Sequence, residues 1–231
     1  QYLGKHDALT GALNREKIIE KLPDLIDLAQ QGKQDLVVYL IDIKHFKYVN
    51  DTYGLKVGDL VLEEVVNRLN ASLMLPQVVG RLSGDSFIFA IEMSEERQQE
   101  KAASHLHDIV ARPFLVQQHE VNLKANIGYC VAPIDGNDAE VLLHKANLAL
   151  YQAECTNVPS VKYVAGMQAY GKYLIEVERE IRQGLKNHEF ILYYQPRLNL
   201  LTNRIDAVEA LIRWQHPERG LLEPDEFLEY F

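Results

Sequence analysis

The chain has 231 residues, 47% of them hydrophobic and 25% charged, and Lys+Arg 24 against Asp+Glu 33 leaves a net charge of −9. These values exclude a disordered tail, a collagen-like repeat and a disulfide scaffold. They also argue against a nucleic-acid polymer or an anionic membrane as partner, because neutralising phosphates needs clustered Lys and Arg. A small anionic ligand held by a few cations and a metal stays open. The longest apolar run, Leu36 to Ile41, has six residues, against the ~20 needed to cross a bilayer. The N-terminus has no apolar signal-peptide core, so the expected location is the cytoplasm, where Cys130 and Cys155, with no C-x-x-C partner, should stay reduced. The chain lacks an initial Met and stops at Phe231 in a helical-looking stretch, as a piece of a longer protein would.

Taken in order, Asn14 is a plausible N-cap for a helix running toward Gln31-Gly32, with Ile18, Ile19, Leu22, Leu25, Ile26 and Ala29 at helical spacing. Pro23 should kink or shorten that helix. Asp35 to Ile41 reads as a strand buried on both faces, with Asp42 at its C-terminal end. A helical turn over 44–49 leads into a loop containing Asn50, Asp51, Gly54 and Gly58, followed by a helix with Leu62, Val65, Val66, Leu69 and Leu73 on one face. Val78 to Ile91 is a hairpin turning at Ser83-Gly84-Asp85-Ser86. A polar helix should span 94–111, strands 114–118 and 121–132, a helix 138–153 and a short strand 161–164. The order β-α-β-β-α-β with insertions is a ferredoxin-like pattern in the α+β class. After Gly166 a second segment begins: a helix over 173–187, strands over 190–199 and 205–214, and a turn at Thr202-Asn203.

The informative pair is Asp42 and Asp85, one at a strand end and the other in a hairpin turn able to lie beside it. Two such carboxylates suit Mg²⁺, which completes its shell with water and substrate phosphates. Asp85 as a turn former and Asp42 as a strand terminator remain the simpler alternatives. Asn50 and Asp59 offer an amide and a carboxylate that could read a base edge, although Asp59 also suits an N-cap. Lys47 could reach a phosphate or be solvated. No Walker loop is present, because the stretch from Gly54 to Asp59 lacks the Gly-Lys-Ser/Thr ending.

Asp7-x-Leu-Thr-Gly11, Asn14-Arg15, Asp42-Ile-Lys-His-Phe46-Lys47-x-x-Asn50-Asp51-x-x-Gly54, Gly58-Asp59, Arg81 and Ser83-Gly84-Asp85-Ser86-Phe87 together resemble the GGDEF family over roughly 5–165. Its members are diguanylate cyclases, which join two GTP molecules into cyclic di-GMP on an adenylate-cyclase-like antiparallel sheet flanked by helices. The resemblance implies that Asp42, Asp85 and the Ile43 carbonyl hold Mg²⁺ or Mn²⁺. It further implies that Asn50 and Asp59 read guanine, that Lys47 faces the triphosphate, and that two domains meet as a homodimer.

The departures carry their own implication. The signature loop has Ser83 where the family has its first Gly and Ser86 where it has its second acidic residue. Glu154 and Val158 stand where the family's phosphate-binding Lys and Arg fall, and Met74 and Gln77 replace the Arg and Asp of the inhibitory product site. Two lost charge-assisted contacts of roughly 1.5–3 kcal/mol each amount to about 10²–10⁴ in triphosphate affinity. The expectation is a degenerate cyclase site without product inhibition, serving as a regulatory or nucleotide-binding module. An active cyclase tolerating an altered loop is the alternative.

Phe190-x-x-Tyr193-Tyr194-Gln195-Pro196, Val208 to His216-Pro217, Gly220 and Pro224-x-x-Phe227 look like the opening of an EAL domain, a cyclic di-GMP phosphodiesterase built on a metal-dependent barrel. By that likeness Glu209 is a metal ligand, Arg213 a phosphate contact, and Gln195 and Leu211 face the ligand. A (β/α)₈ barrel needs roughly 250 residues, so this helix and β-hairpin fragment cannot hydrolyse anything alone. The apolar faces of its helix (Leu174, Ile175, Val177, Ile181, Leu185) and strands should associate with another copy or be partly disordered unless covered. The expected division is 1–165 for the first domain, 166–173 for a linker and 174–231 for the EAL fragment.

Overall fold

The structure is a computed structural model that describes residues 4–72, 78–224 and 227; the side chains of 168–176 and 178 lie outside that description. Met74 and Gln77, expected at a lost product site, therefore fall outside the described residues, as do Leu73 and the side chains of Leu174 and Ile175. The chain divides into two compact units, Gln1–Met167 and Gln168–Phe231.

Helix α1 (Arg15–Gln31) starts where its cap predicts: the Asn14 side chain accepts the Lys17 N–H at 3.0 Å, and Gly32 closes the other end. Pro23 sits inside this helix without ending it. The ring lies on the solvent face, where water can take the carbonyl that the missing N–H leaves free. Strand β1 (Asp35–Ile43) follows, then α2 (Phe46–Tyr53) and α3 (Leu55–Asn70). The loop expected over 50–58 is thus reduced to Gly54, whose φ of 85° joins the two helices. Asp59 lies inside α3, and Gly54 takes the N-cap position instead.

The hairpin is β2 (Val78–Ser83) and β3 (Ser86–Met93), with Gly84 at φ 48° in the turn. After α4 (Glu96–Ala111), the stretch expected as strands 114–118 and 121–132 resolves into a small hairpin, β4 (Phe114–Val116) with β5 (His119–Val121), and the long β6 (Ala125–Ala132). Helix α5 (Ala139–Cys155), capped by Asp138, and β7 (Ser160–Lys162) complete the unit. The sheet order is β2-β3-β1-β6-β7; β2/β3, β3/β1 and β1/β6 are antiparallel, and β6/β7 is parallel. This is the ferredoxin-like core with one added edge strand.

Strand periodicity sorts the core into two layers. Val37, Tyr39 and Ile41 of β1 join Phe87, Phe89, Ile127 and Tyr129 in a cluster with α3 and α4. Leu36, Val38 and Leu40 join Ile88, Ala90, Cys130 and Ala132 under α1 and α5. Gly128 sets the second layer's spacing, because a Cβ there would run into the Leu150 N and Ala146 O atoms of α5. Both cysteines are free, Cys130 buried and Cys155 exposed.

In the second unit α6 (Met167–Lys186) leads to β8 (Phe190–Asn199), β9 (Arg204–His216) and β10 (Gly220–Leu222), in sheet order β10-β9-β8. Residues 167–173 are helical, and β10 adds a third strand to the expected pair. Val177, Ile181, Trp214, Leu222 and Phe227 form its core. Trp214 stacks on Phe190 at 5.0 Å and donates its indole N–H to Glu189 at 3.0 Å. Leu192, Tyr194, Ile205 and Val208 of the hairpin are exposed.

Candidate functional site

The two aspartates meet at one end of the five-stranded sheet. Asp42 pairs with Ser86 of β3, and the Ile43 N–H donates to the Asp85 carbonyl at 3.3 Å. Asp85 stands at the tip of the hairpin because Gly84 takes a left-handed turn that a side chain would strain. A bulge between Arg81 and Ser83 re-aims this end of β2.

Arg81 fixes the turn from below. Its Nε donates to the Gly84 carbonyl at 2.8 Å, and its Nη1 reaches the Asp7 carboxylate at 3.0 Å. That carboxylate also accepts the Thr10 N–H and hydroxyl at 2.9 and 2.7 Å. Burial works to raise the Asp7 carboxyl, but the bonds from Thr10 and Arg81 outweigh it and hold it below its ordinary value. The Asp7-x-Leu-Thr-Gly11 segment and the signature loop are thus one hydrogen-bonded unit.

Partial burial, then the Asp85 carboxylate, then Glu154 push the Asp42 carboxyl up to about 7. Glu154 closes α5 beside this pair. Partial burial raises its carboxyl, the nearby Lys44 ammonium opposes that rise, and Asp85 adds to it. Lys44 is held in place, its Nζ donating to Asn157 Oδ1 at 2.8 Å and its backbone N–H to the Lys124 carbonyl at 2.8 Å. The site therefore carries three carboxylates and one lysine.

Among the described residues no group of three or more His, Cys, Asp or Glu side chains is placed to enclose a metal. Asp42, Asp85 and the Ile43 carbonyl fit Mg²⁺ in the other manner, in which one or two carboxylates anchor an ion that keeps waters and takes phosphate oxygens. Asn50 lies on α2 against Gly58, where a Cβ would strike its carboxamide, and Asp59 is the next residue of α3. Glycine at 58 is thus what leaves room for the Asn50 carboxamide between α2 and α3. Lys47 is exposed on α2.

A cavity opens on the Lys44 side of this site, away from the carboxylates. About 500 Å³ in volume, it is lined by Lys44, His45, Tyr48, Tyr53, Lys124 and Asn157 among others, and includes none of Asp42, Asp85, Asn50 or Asp59. Two residues of the aspartate site escaped sequence reasoning. Lys44 opens the helical turn expected over 44–49 and Asn126 falls within the strand expected over 121–132, with no chemical role drawn from either, yet the register sets Asn126 directly opposite Asp42.

In the second unit the register pairs Gln195 with Glu209, Tyr193 with Leu211 and Ile191 with Arg213. Gln195, Glu209, Leu211 and Arg213 therefore share one face of the hairpin. Gln195 and Glu209 are exposed; Arg213 lies 5.8 Å over the Tyr193 ring and 3.9 Å from Glu223. Among the described residues no helix is long and apolar enough to cross a membrane.

Residues 4–158 match the model of the diguanylate cyclase GGDEF domain family, and residues 178–231 that of the EAL domain. The bifunctional diguanylate cyclase/cyclic di-GMP phosphodiesterase MucR of Pseudomonas aeruginosa is 33% identical over 98% of this chain and 33% of its own length. The cyclic di-GMP phosphodiesterase PdeR of Escherichia coli is 31% identical over 99% of this chain and 34% of its own. The chain thus spans about a third of these curated relatives. Among solved structures, a sensory box/GGDEF family protein from Caulobacter crescentus superposes with a TM-score of 0.62 at 33% identity, covering 66% of this chain and 99% of that one. The strand order, the paired aspartates and the family match agree: this chain belongs to the GGDEF family and continues into the start of an EAL domain.

Proposed function

We propose that the chain is the GGDEF-to-EAL portion of a cyclic di-GMP signalling protein, in which the GGDEF domain binds a guanine nucleotide with Mg²⁺ or Mn²⁺ but does not cyclise it efficiently. The observation that carries this reading is Glu154, a third carboxylate beside Asp42 and Asp85 where a triphosphate needs cations. A bound cation supplies charge neutralisation for the phosphates. Asp42 and Asp85 anchor it, Asn50 and Asp59 orient the base, and Lys47 and Lys44 offer the remaining positive charge. Ser83 and Ser86 leave the loop without the family's second carboxylate, and Ser83 adds a Cβ where the family has a bare backbone.

In this reading the GGDEF domain is a nucleotide-responsive regulatory module for an EAL domain on the same protein. Glu209 would anchor a metal there and Arg213, with Gln195 beside them, would hold a phosphate of cyclic di-GMP. Both are expected to work only in the complete barrel.

The test is conversion of GTP by the purified chain with Mg²⁺ and with Mn²⁺, at protein concentrations high enough for two domains to meet. No cyclic di-GMP is expected. Robust product that disappears in Asp85→Ala would overturn the reading in favour of an active cyclase whose lost α5 cation is replaced by Lys44. Nucleotide binding has its own check. Gly58→Ala should displace the Asn50 carboxamide and erase the preference for GTP over ATP in calorimetry, while Mg²⁺ dependence persists. An unchanged preference would separate Asn50 from base recognition.

A further inference from the structure

The sheet face beneath α1 and α5 is apolar along most of its length. Leu36, Val38 and Leu40 of β1, Ile88 and Ala90 of β3, and Cys130 and Ala132 of β6 all belong to its core. The row containing Leu40 reads Ile88–Leu40–Gly128 across the three strands. The next row, at the end where the aspartates meet, reads Ser86–Asp42–Asn126. Residues directly opposite in antiparallel strands carry their side chains on the same face, with Cβ atoms ≈ 4.5–5.5 Å apart. Asn126 therefore stands beside Asp42 on the same side of the sheet. Because α5 runs back along β6 and presses on Gly128, its last turn, which carries Glu154, covers this row.

Asn126 is 1% exposed, and neither its Oδ1 nor its Nδ2 has a hydrogen-bond partner. A buried amide left in this state is unfavourable compared with an apolar side chain of the same shape. The other orphan, Gln99 Oε1, lies on a different element, where the Gln99 backbone carbonyl accepts the Tyr39 hydroxyl at 2.9 Å. Asn126, by contrast, flanks a carboxylate that has no hydrogen bond among the described residues and that feels the charges of both Asp85 and Glu154. A carboxamide can donate to a carboxylate and accept from a metal-bound water at once, which the acceptor-only carboxylate of Glu154 cannot do.

We infer that Asn126 is a positioning residue of the cation site: once a cation is bound, its Nδ2 donates to the Asp42 carboxylate and its Oδ1 accepts from a water of that cation. The inference rests on the reading that Asp42 and Asp85 hold a divalent cation, and it adds a buried group on β6 to that set. Such outer partners fix the orientation of a ligand, and their loss costs about 10–100-fold in metal affinity.

The experiment measures Mn²⁺ binding to the full chain by electron paramagnetic resonance, alongside thermal unfolding without metal. Asn126→Leu keeps the volume and removes the orphaned polar atoms. It is expected to leave the unfolding temperature unchanged or raise it, while weakening Mn²⁺ about 10-fold or more. Asn126→Ser, which retains a donor and an acceptor, should fall between the two, and it serves as the readout if the leucine variant does not fold. A merely structural asparagine gives the opposite pattern, a lower unfolding temperature with unchanged Mn²⁺ affinity, and that result overturns the proposal. Wild-type binding lost in Asp85→Asn but untouched in both Asn126 variants would leave the aspartate site standing and remove Asn126 from it. No Mn²⁺ binding by the wild type would overturn the cation reading itself, and the role of Asn126 with it.

Discussion

Asp42→Asn is expected to weaken Mg²⁺-dependent GTP binding by about 10- to 100-fold, as loss of a charged ligand worth roughly 1.5–3 kcal/mol predicts. Calorimetry with and without Mg²⁺ reads the effect directly. The same substitution should stabilise the metal-free protein, and the pH dependence fixes the sign. Folding raises the Asp42 carboxyl from 3.8 to about 7, so between those values the native state holds a proton that the unfolded chain has released. Native stability then falls as pH rises through that window, and the loss is complete above it. Asparagine carries no charge to desolvate. In chemical denaturation the stabilities of variant and wild type should therefore agree near pH 4 and diverge up to pH 7, with the variant more stable by about 1–2 kcal/mol after discounting for partial solvent screening. A gap that does not widen with pH would show that the carboxyl is not held in a desolvated, acidic surrounding.

Gly128→Ala is expected to be the most damaging single-methyl change in the first unit. The new Cβ meets the Leu150 N and Ala146 O atoms of α5. These belong to backbone and cannot rotate away, so the helix must lift from the sheet. Ala146 and Leu150 are part of the core beneath it, and overpacking of this kind costs about 3 kcal/mol. Chemical denaturation should show a midpoint shift of that size in the first unit's transition, with the second unit's unchanged. By comparison, Gly84→Ala meets no atom within 4 Å and strains only a φ of 48°. It should cost about 1 kcal/mol. Equal losses at the two positions would mean that α5 does not pack as closely as described.

Features specified by neighbouring residues are legible in the amino-acid order alone. The apolar run in β1, the Asn14 cap and the Ser83-Gly84-Asp85-Ser86 turn each declare themselves within a few positions, and each stands where the pattern puts it. The region from Asn50 to Asp59 misleads because its Asn, Asp and Gly residues favour loops. Here they serve packing instead, Gly58 making room for Asn50 at the junction of α2 and α3. The break at 122–124 between β5 and β6 leaves no mark in an otherwise strand-like stretch. At the candidate site the aspartates are readable through motif spacing. The adjacency of Lys44 to Glu154, and of Asn126 to Asp42, depends on register between segments distant in the chain. No local pattern contains it.

The three-strand row at the sheet end also ties occupancy to folding. Positions 42, 86 and 126 come together only when β1, β3 and β6 have paired in register, so a partly folded first unit offers an incoming cation and nucleotide no half-built site. A ligand that binds solely the finished sheet stabilises it by mass action, about 2.7 kcal/mol at a hundred times its dissociation constant. Protection of β6 amides against hydrogen exchange is then a gauge of ligand concentration. The hairpin of the second unit, which contributes nothing to that row, supplies the internal reference.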